Sequence, residues 1–223
     1  MALQPQKTWA VITGDIVRSS SLSSDELCDV RAQLVDAVAD IRGWGRRILR
    51  GRPDFFRGDA WQVLLSDPRR ALRVALYVRS QLISIGLADT RLSIGLGSVD
   101  YLSRSRVSLS TGEAFKLSGH GLDGMSPAAG LAITCPQSAG PVAAWLTLTG
   151  QLCDSLISGW TKRQAAVVAV SLHPRDPRQD EIAALLKPPV SRQAVTKTLE
   201  SANWYAIKAA IRVFEETRWD EVI

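Results

Sequence analysis

From Trp9 to Gly97 six apolar segments follow one another in the order strand, helix, strand, strand, helix, strand, and few sheets accept that order. Trp9-Ala-Val-Ile-Thr13 is a continuous apolar run, the pattern of a buried strand. Ser23-Ser24-Asp25-Glu26 has the form of a capping box, with Ser23 as cap and Glu26 three residues on. Leu27, Val30, Leu34, Val38 and Ile41 recur at helical spacing, so the spacing predicts a helix to about Ile41, ended by Gly43 and Gly45. An arginine-dense connection follows, with Arg42, Arg46, Arg47, Arg50 and Arg52. Phe55-Phe56 and Trp61 to Leu65 read as two strands around Arg57-Gly58-Asp59, a hairpin. Asp67-Pro68 is a helix start, cap then proline, and Leu72, Ala75, Leu76 and Leu82 carry the helix to Gly86. Arg91 to Gly97 alternates as a strand.

This is the split βαβ order (βαββαβ) of a ferredoxin-like sheet, and it predicts an α+β fold. Thr111 to Leu122 reads as a loop entering a short helix, and Gly130 to Thr134 as an extra strand. From Pro141 onward the pattern is helical: Pro141–Ile157, Trp160–Leu172, a helix begun by Asp176-Pro177, one capped by Ser191, and a last from about Tyr205 to Trp219. The expected division is residues 1–138 for the α+β part and 139–223 for a helical domain.

Composition narrows the partners. No signal-peptide pattern opens the chain, and Cys28, Cys135 and Cys153 form a sparse odd set, so reduced thiols in a cytoplasm are expected. Cys28 and Cys153 fall in helical patterns and are expected as small core residues. Gly124 to Cys153 carries no charge, but Pro127, Pro136, Gly140 and Pro141 break it, so no membrane span is expected. The net charge of +5 comes mostly from arginine and suits an anionic partner, a nucleotide or nucleic acid.

The chemistry lies in two short phrases, Thr13-Gly14-Asp15-Ile16-Val17-Arg18-Ser19-Ser20 and Phe55-Phe56-Arg57-Gly58-Asp59-Ala60-Trp61-Gln62. Each sets an aspartate at a strand end or turn, and two such carboxylates can hold Mg²⁺ or Mn²⁺ together with nucleotide phosphates. A Gly-Asp pair is also ordinary turn chemistry, which is the competing reading of Asp59. The backbone of Val17, Arg18, Ser19 and Ser20, leading to a helix N-terminus, can cradle phosphate oxygens. Arg18, Arg57 or an arginine of the 46–52 cluster can neutralise a phosphate tail, although such a run also occurs as a solvated connection. Glu113 reads as a helix-start charge.

On these phrases the first half resembles the catalytic domain of class III nucleotidyl cyclases, and more distantly diguanylate cyclases and palm polymerases. The resemblance implies Asp15, Ile16 and Asp59 as metal positions, a nucleoside triphosphate as ligand, and a homodimer. It departs where catalysis needs most. The family's base-contacting lysine falls at Phe55. Its transition-state asparagine and arginine fall at Lys116 and His120, of which Lys116 keeps a positive charge while a histidine replaces arginine only in part. Over the whole chain, Thr13-Gly-Asp-Ile16, Gly58-Asp-x-x-Gln62, Gly112-Glu-Ala-Phe115 and Leu117-Ser-Gly119 resemble the bacterial SatD family.

Arg178 to Leu199 has helix-turn-helix grammar, with Ile182 and Ala183 on a first helix and Ala194, Val195 and Leu199 inward on a second. The outward positions Ser191, Arg192, Gln193, Thr196 and Lys197 are the expected DNA contacts, and the expected class of the tail is an all-α or winged helix-turn-helix domain. Residues 139–223 hold 10 basic and 9 acidic side chains, so a protein-docking role for the same unit stands beside DNA. Together these features predict a cytoplasmic bacterial regulator that couples a cyclase-like nucleotide domain to a DNA-binding tail. The alternative is an active nucleotidyl cyclase or nucleotidyltransferase. Lys116 and His120 separate the two: if they converge on the Asp15–Asp59 site turnover is credible, and if they point away sensing is.

Overall fold

A computed structural model describes residues 7–45, 48–56 and 58–223. Its centre is a five-stranded sheet in the order β2-β3-β1-β4-β5, built from β1 (Trp9–Ile16), β2 (Leu49–Phe56), β3 (Ala60–Leu65), β4 (Thr90–Gly97) and β5 (Leu131–Thr134). The first four strands pair antiparallel, and β5 adds parallel to β4. The chain order of the first six elements, strand, helix, strand, strand, helix, strand, is the one expected from the sequence. β1 is the central strand, flanked on both sides, so its apolar run is buried from Ala10 to Ile12.

Helices α1 (Ser24–Gly43) and α2 (Ala71–Ile85) pack against one another, and α2 also packs on β1 and β4. The expected capping box of α1 is present: the Glu26 amide donates to Ser23 Oγ at 3.2 Å, and the Ser23 amide donates to Glu26 Oε2 at 2.8 Å. The buried face of α1 is Val30, Leu34, Ala37, Val38 and Ile41, as the spacing predicts. Cys28 lies off that face and is exposed, which corrects its assignment to the core, whereas Cys153 is buried. Burial pushes the Cys153 thiol up to about 11.

Helix α3 (Glu113–Asp123) lies against β1 and β4, on the sheet face where Thr13 and Ser118 hydroxyls meet at 2.8 Å. Gly95 on β4 makes this approach feasible. A Cβ there would stand 2.3 Å from the Ala114 carbonyl oxygen and 2.4 Å from the Ser118 amide nitrogen.

β2 begins earlier than its sequence suggests, at Leu49, and takes in Arg50 and Arg52. The ladder shifts between Arg50 and Asp54: four residue steps on β2 span the two on β3 from Leu64 to Gln62. Gly51, at φ +70°, and Pro53 form this bulge, which hides the strand's alternation.

The remaining helices are α4 (Pro141–Ile157), α5 (Lys162–Ser171), α6 (Gln179–Leu185), α7 (Arg192–Ser201), α8 (Trp204–Glu216) and α9 (Trp219–Val222). α6 starts two residues beyond Asp176-Pro177, because Asp176 takes φ +51° and Arg178 becomes the first cap. α4 packs on β5 and α5 packs on α2, so one hydrophobic core runs through residues on both sides of position 138. Charged clamps reinforce the junction. Arg73 reaches Glu215 with Nε to Oε1 at 2.6 Å and Nη2 to Oε2 at 2.9 Å, and Arg70 joins at 2.7 Å. Burial works against the Glu215 charge, but these arginines outweigh it and hold its carboxyl below the usual range. Among the described residues no helix is long and apolar enough to cross a membrane.

Candidate functional site

The cavity that matters opens on the α3 face of the sheet and encloses about 730 Å³. Strand alternation explains its floor: Thr13 and Asp15 of β1 share this face, with Gln62 opposite Thr13 on β3. Asp59 enters from the turn before β3 and lines the same cavity as Asp15. Its carbonyl accepts from the Ile16 amide at 3.3 Å, which ties the turn to the end of β1. The roof comes from α3 through Phe115, Lys116 and Gly119, and Phe56 adds a second aromatic ring. One side is closed by Arg106, Ser108 and Ser110 from the loop after β4.

Asp15 has a partner that sequence reasoning missed. Arg91 stands opposite it in the β1–β4 register and forks onto it, Nε to Oδ1 at 3.0 Å and Nη2 to Oδ2 at 2.5 Å. The hydrogen bond to Asp15, with the charges of Asp15 and Asp59 behind it, holds the Arg91 guanidinium above its ordinary value, against a smaller effect of burial. Only the strand register places Arg91 there; in the sequence it is the first residue of an ordinary strand. Asp59 Oδ2 accepts the Ser19 hydroxyl at 2.5 Å.

A second ion pair, between buried Asp54 and exposed Arg106, shapes the wall. Arg106 places Nε and Nη2 on Asp54 Oδ1 at 3.0 and 2.8 Å, and Ser108 donates its amide to Asp54 Oδ2 at 3.0 Å. Burial would raise the Asp54 carboxyl, but Arg106 and the Ser108 hydroxyl and amide together hold it below its usual value. Asp54 thereby pins the loop that carries Ser108 and Ser110 to the sheet. Nothing in the local sequence marked this pair.

Asp15 and Asp59 are carboxylates of this cavity that could take part in holding a small hard cation. Asp59 Oδ1 has no partner among the described residues, and a carboxylate forked by one arginine keeps further lone pairs. No group of three or more His, Cys, Asp or Glu side chains suited to a metal occurs among the described residues. An ion here would complete its shell with water and ligand oxygens, as Mg²⁺ commonly does. Gln62 supplies a further sign of a ligand. It is 7% exposed, its Nε2 donates to Thr13 Oγ1 at 2.8 Å, and its buried Oε1 has no partner. A buried amide with one unpaired atom is costly unless something fills it.

The other sequence candidates divide. Lys116 lines the cavity; His120, one turn on, is exposed and lies outside it. Ile16 is buried with its side chain in the core, so only its backbone reaches the site. Val17, Arg18, Ser19 and Ser20 do not line the cavity, although Ser19 touches Asp59. The Val17 amide donates to the Asp89 carbonyl at 2.9 Å, while the amides of Arg18, Ser19 and Ser20 have no partner among the described residues. A short 3-10 turn, Ser19–Ser21, separates this segment from α1, whose first turn is already closed by Ser23 and Glu26. Arg57, like Arg46 and Arg47, lies outside the described residues.

On the tail, Ser191 Oγ caps α7 by accepting the Ala194 amide at 3.2 Å, and Thr196 Oγ1 donates to Gln179 Oε1 at 2.7 Å. Arg192, Gln193 and Lys197 are exposed, and their side chains have no partner among the described residues. Elsewhere on the tail, Arg178 pairs with Asp180, Lys208 with Asp176, Arg212 with Glu216 and Arg218 with Glu221.

Comparison of the sequence with models of protein families, and with curated proteins, finds no match. Among solved structures the chain is similar to the guanylyl cyclase Cya2 at 17% identity, over 57% of this chain and 74% of that one, with a TM-score of 0.37. It is similar to a bacterial light-regulated adenylyl cyclase at 16% identity, over 60% of this chain and 44% of that one, with a TM-score of 0.41. A third is the non-canonical dimeric guanylyl cyclase domain of the RhoGC fusion protein from the aquatic fungus Blastocladiella emersonii, at 14% identity, over 57% and 79% of the two chains, with a TM-score of 0.38. Each is a remote likeness over little more than half of this chain.

Proposed function

We propose that the first half of this chain, residues 1–138, binds a nucleoside triphosphate with Mg²⁺ or Mn²⁺ and serves as a sensor rather than a cyclase. One observation carries the reading: Asp15, Asp59, Lys116, two phenylalanine rings and the half-paired Gln62 amide line a single cavity. In it Asp15 and Asp59 would hold the ion, which would gather and neutralise phosphate oxygens. Lys116 would take a further phosphate oxygen, Phe56 and Phe115 would flank the base, and the free Gln62 atom would meet one of its polar edges. Sensing is favoured over turnover because Lys116 is at the site and His120 is not. Titration with each of the four nucleoside triphosphates plus Mg²⁺ or Mn²⁺, followed by chromatography of the mixtures, tests both parts. Binding without product is expected, weakened about tenfold or more in Asp59→Asn. A cyclic or linked nucleotide absent from the variant's mixture would make the protein an enzyme.

For residues 139–223 the proposed partner is duplex DNA, met by Arg192, Gln193 and Lys197 of α7. With only Arg192 and Lys197 to neutralise phosphates, the binding would be weak, with a shallow salt slope of about 2. A gel-shift series is expected to lose its retarded band when Arg192 and Lys197 are both changed to Ala; an unchanged band would remove α7 from the interface. The exposed apolar face of α4, with Trp145 66% and Leu152 57% exposed, supports the homodimer as part of the same proposal.

A further inference from the structure

We infer that the ligand of the candidate site is longer than a mononucleotide: a single-stranded oligonucleotide whose end enters the Asp15–Asp59 cavity while its next phosphates lie in a basic cavity alongside. The inference rests on the nucleotide reading given above. The neighbouring cavity encloses about 590 Å³ and is lined by Arg42, Arg52, Arg104 and Arg106, with Ser103 and Ser105. Arg106 lines both cavities, so the two are contiguous.

Among the described residues, four guanidinium groups line this cavity with one carboxylate, that of Asp54, and Arg106 already holds it. Arg52 and Arg104 are exposed, and neither side chain has a partner among the described residues. Arg42 gives one N–H to the Gly51 carbonyl and keeps others. Like charges gathered without counter-charges repel one another, and a phosphate relieves that repulsion while accepting their forked N–H groups. The β2 bulge has a use in this light. The extra residues around Gly51 and Pro53 lift Arg52 out of the ladder and into the cavity wall.

The two cavities differ as base and backbone sites should. The first has Phe56 and Phe115, surfaces on which a base can stack. Among the described residues the second has no aromatic lining residue, and its apolar part is Pro53 and Val107. It therefore reads charge and sugar hydroxyls rather than base identity. A mononucleotide keeps its phosphates in one cluster and leaves Arg52 and Arg104 unused. An oligonucleotide engages both cavities at once, and the local affinities combine through the covalent link.

The test uses the full chain with Mn²⁺, and fluorescein-labelled short oligothymidylate and oligouridylate in parallel, against thymidine and uridine triphosphates. The oligonucleotides are expected to bind about tenfold or more tighter than the triphosphates, with the deoxy or ribo form preferred according to the sugar contacts. In the Arg52→Ala, Arg104→Ala double variant that advantage is lost, and the salt slope of oligonucleotide binding falls by about 1.4, at about 0.7 per phosphate contact. Triphosphate affinity stays within about twofold, since neither arginine lines the first cavity. A charge-reversed pair, Arg52→Glu with Arg104→Glu, gives a larger loss, and unchanged melting temperatures certify both folds. Oligonucleotides no tighter than triphosphates, or an advantage and salt slope unmoved by either double variant, overturn the inference and leave the nucleotide reading standing. If neither class of ligand binds, both fall together.

Discussion

Replacing Arg79 with Met lowers the stability of the whole chain by about 3–5 kcal/mol, the expected cost of removing one member of a buried charge network. Arg79 is 3% exposed on α2. Its Nε reaches Asp89 Oδ1 at 2.9 Å, its Nη2 reaches Asp89 Oδ2 at 2.8 Å, and its Nη1 reaches Asp154 Oδ1 at 2.5 Å. Asp154 also accepts the Gly130 amide at 2.8 Å, at the entrance to β5. One guanidinium thus joins α2, the lead into β4, and α4. Burial opposes its charge, but Asp89 and then Asp154 outweigh that and raise its pKa further, so it stays protonated at any working pH. Methionine fills much of the stem's volume and leaves Asp154 buried without a cation. A fall in melting temperature of roughly 6–20 °C follows, at about 2–4 °C per kcal/mol for a chain of this size. Adding Asp154→Asn to the variant recovers part of the loss, because the uncompensated charge is then gone. A drop below about 1 kcal/mol in thermal or urea melts would show that the network carries little of the packing of α4 on the sheet.

Gly95→Ala acts on fold and site together. The new methyl would stand against the backbone of α3, not against a side chain that can turn away. The helix must therefore retreat from β4. The cost is about 1–3 kcal/mol, typical of overpacking. The same shift pulls Ser118 from Thr13 and carries Phe115 and Lys116 away from Asp15 and Asp59. Nucleotide affinity is expected to fall about tenfold or more, since displacements of about 1 Å are enough to spoil a positioned site. Normal affinity at lowered stability would mean that α3 is not the roof of the site. Full stability would mean that the close approach of α3 to β4 is not needed.

Much of the sheet was legible in the sequence because local signals agreed: the Ser23–Glu26 capping box, the alternation before Gly97, and the helix start at Asp67 each work within a few residues. β2 was not legible north of Phe55, because the bulge at Gly51 and Pro53 breaks the period that identifies a strand. Cys28 was misplaced because its position one residue after Leu27 looks helical without being on the buried stripe. At the site, Asp15 and Asp59 stood out as carboxylates at turns. Arg91, Asp54 and Arg106 did not, since each gains its meaning from a residue 52 or more positions away, through register or loop docking. Lys116 and His120 share one helix, and only the angle at which α3 lies on β4 decides which of them reaches the cavity. For the tail, helix-turn-helix patterning identified α6 and α7, whereas its partner depends on surface charge that the sequence balances almost evenly.

The most direct measurement is the electron paramagnetic resonance signal of free Mn²⁺ during titration into the protein, with and without nucleoside triphosphate. It is made for the wild type, Asp15→Asn, Asp59→Asn and the double variant, each against a nucleotide-only blank. If Asp15 and Asp59 hold the ion, the wild type removes Mn²⁺ from solution beyond the blank, more strongly with nucleotide present, and the double variant does not. Equal Mn²⁺ uptake by the double variant, or no uptake by the wild type beyond the blank, would contradict the metal-dependent nucleotide site.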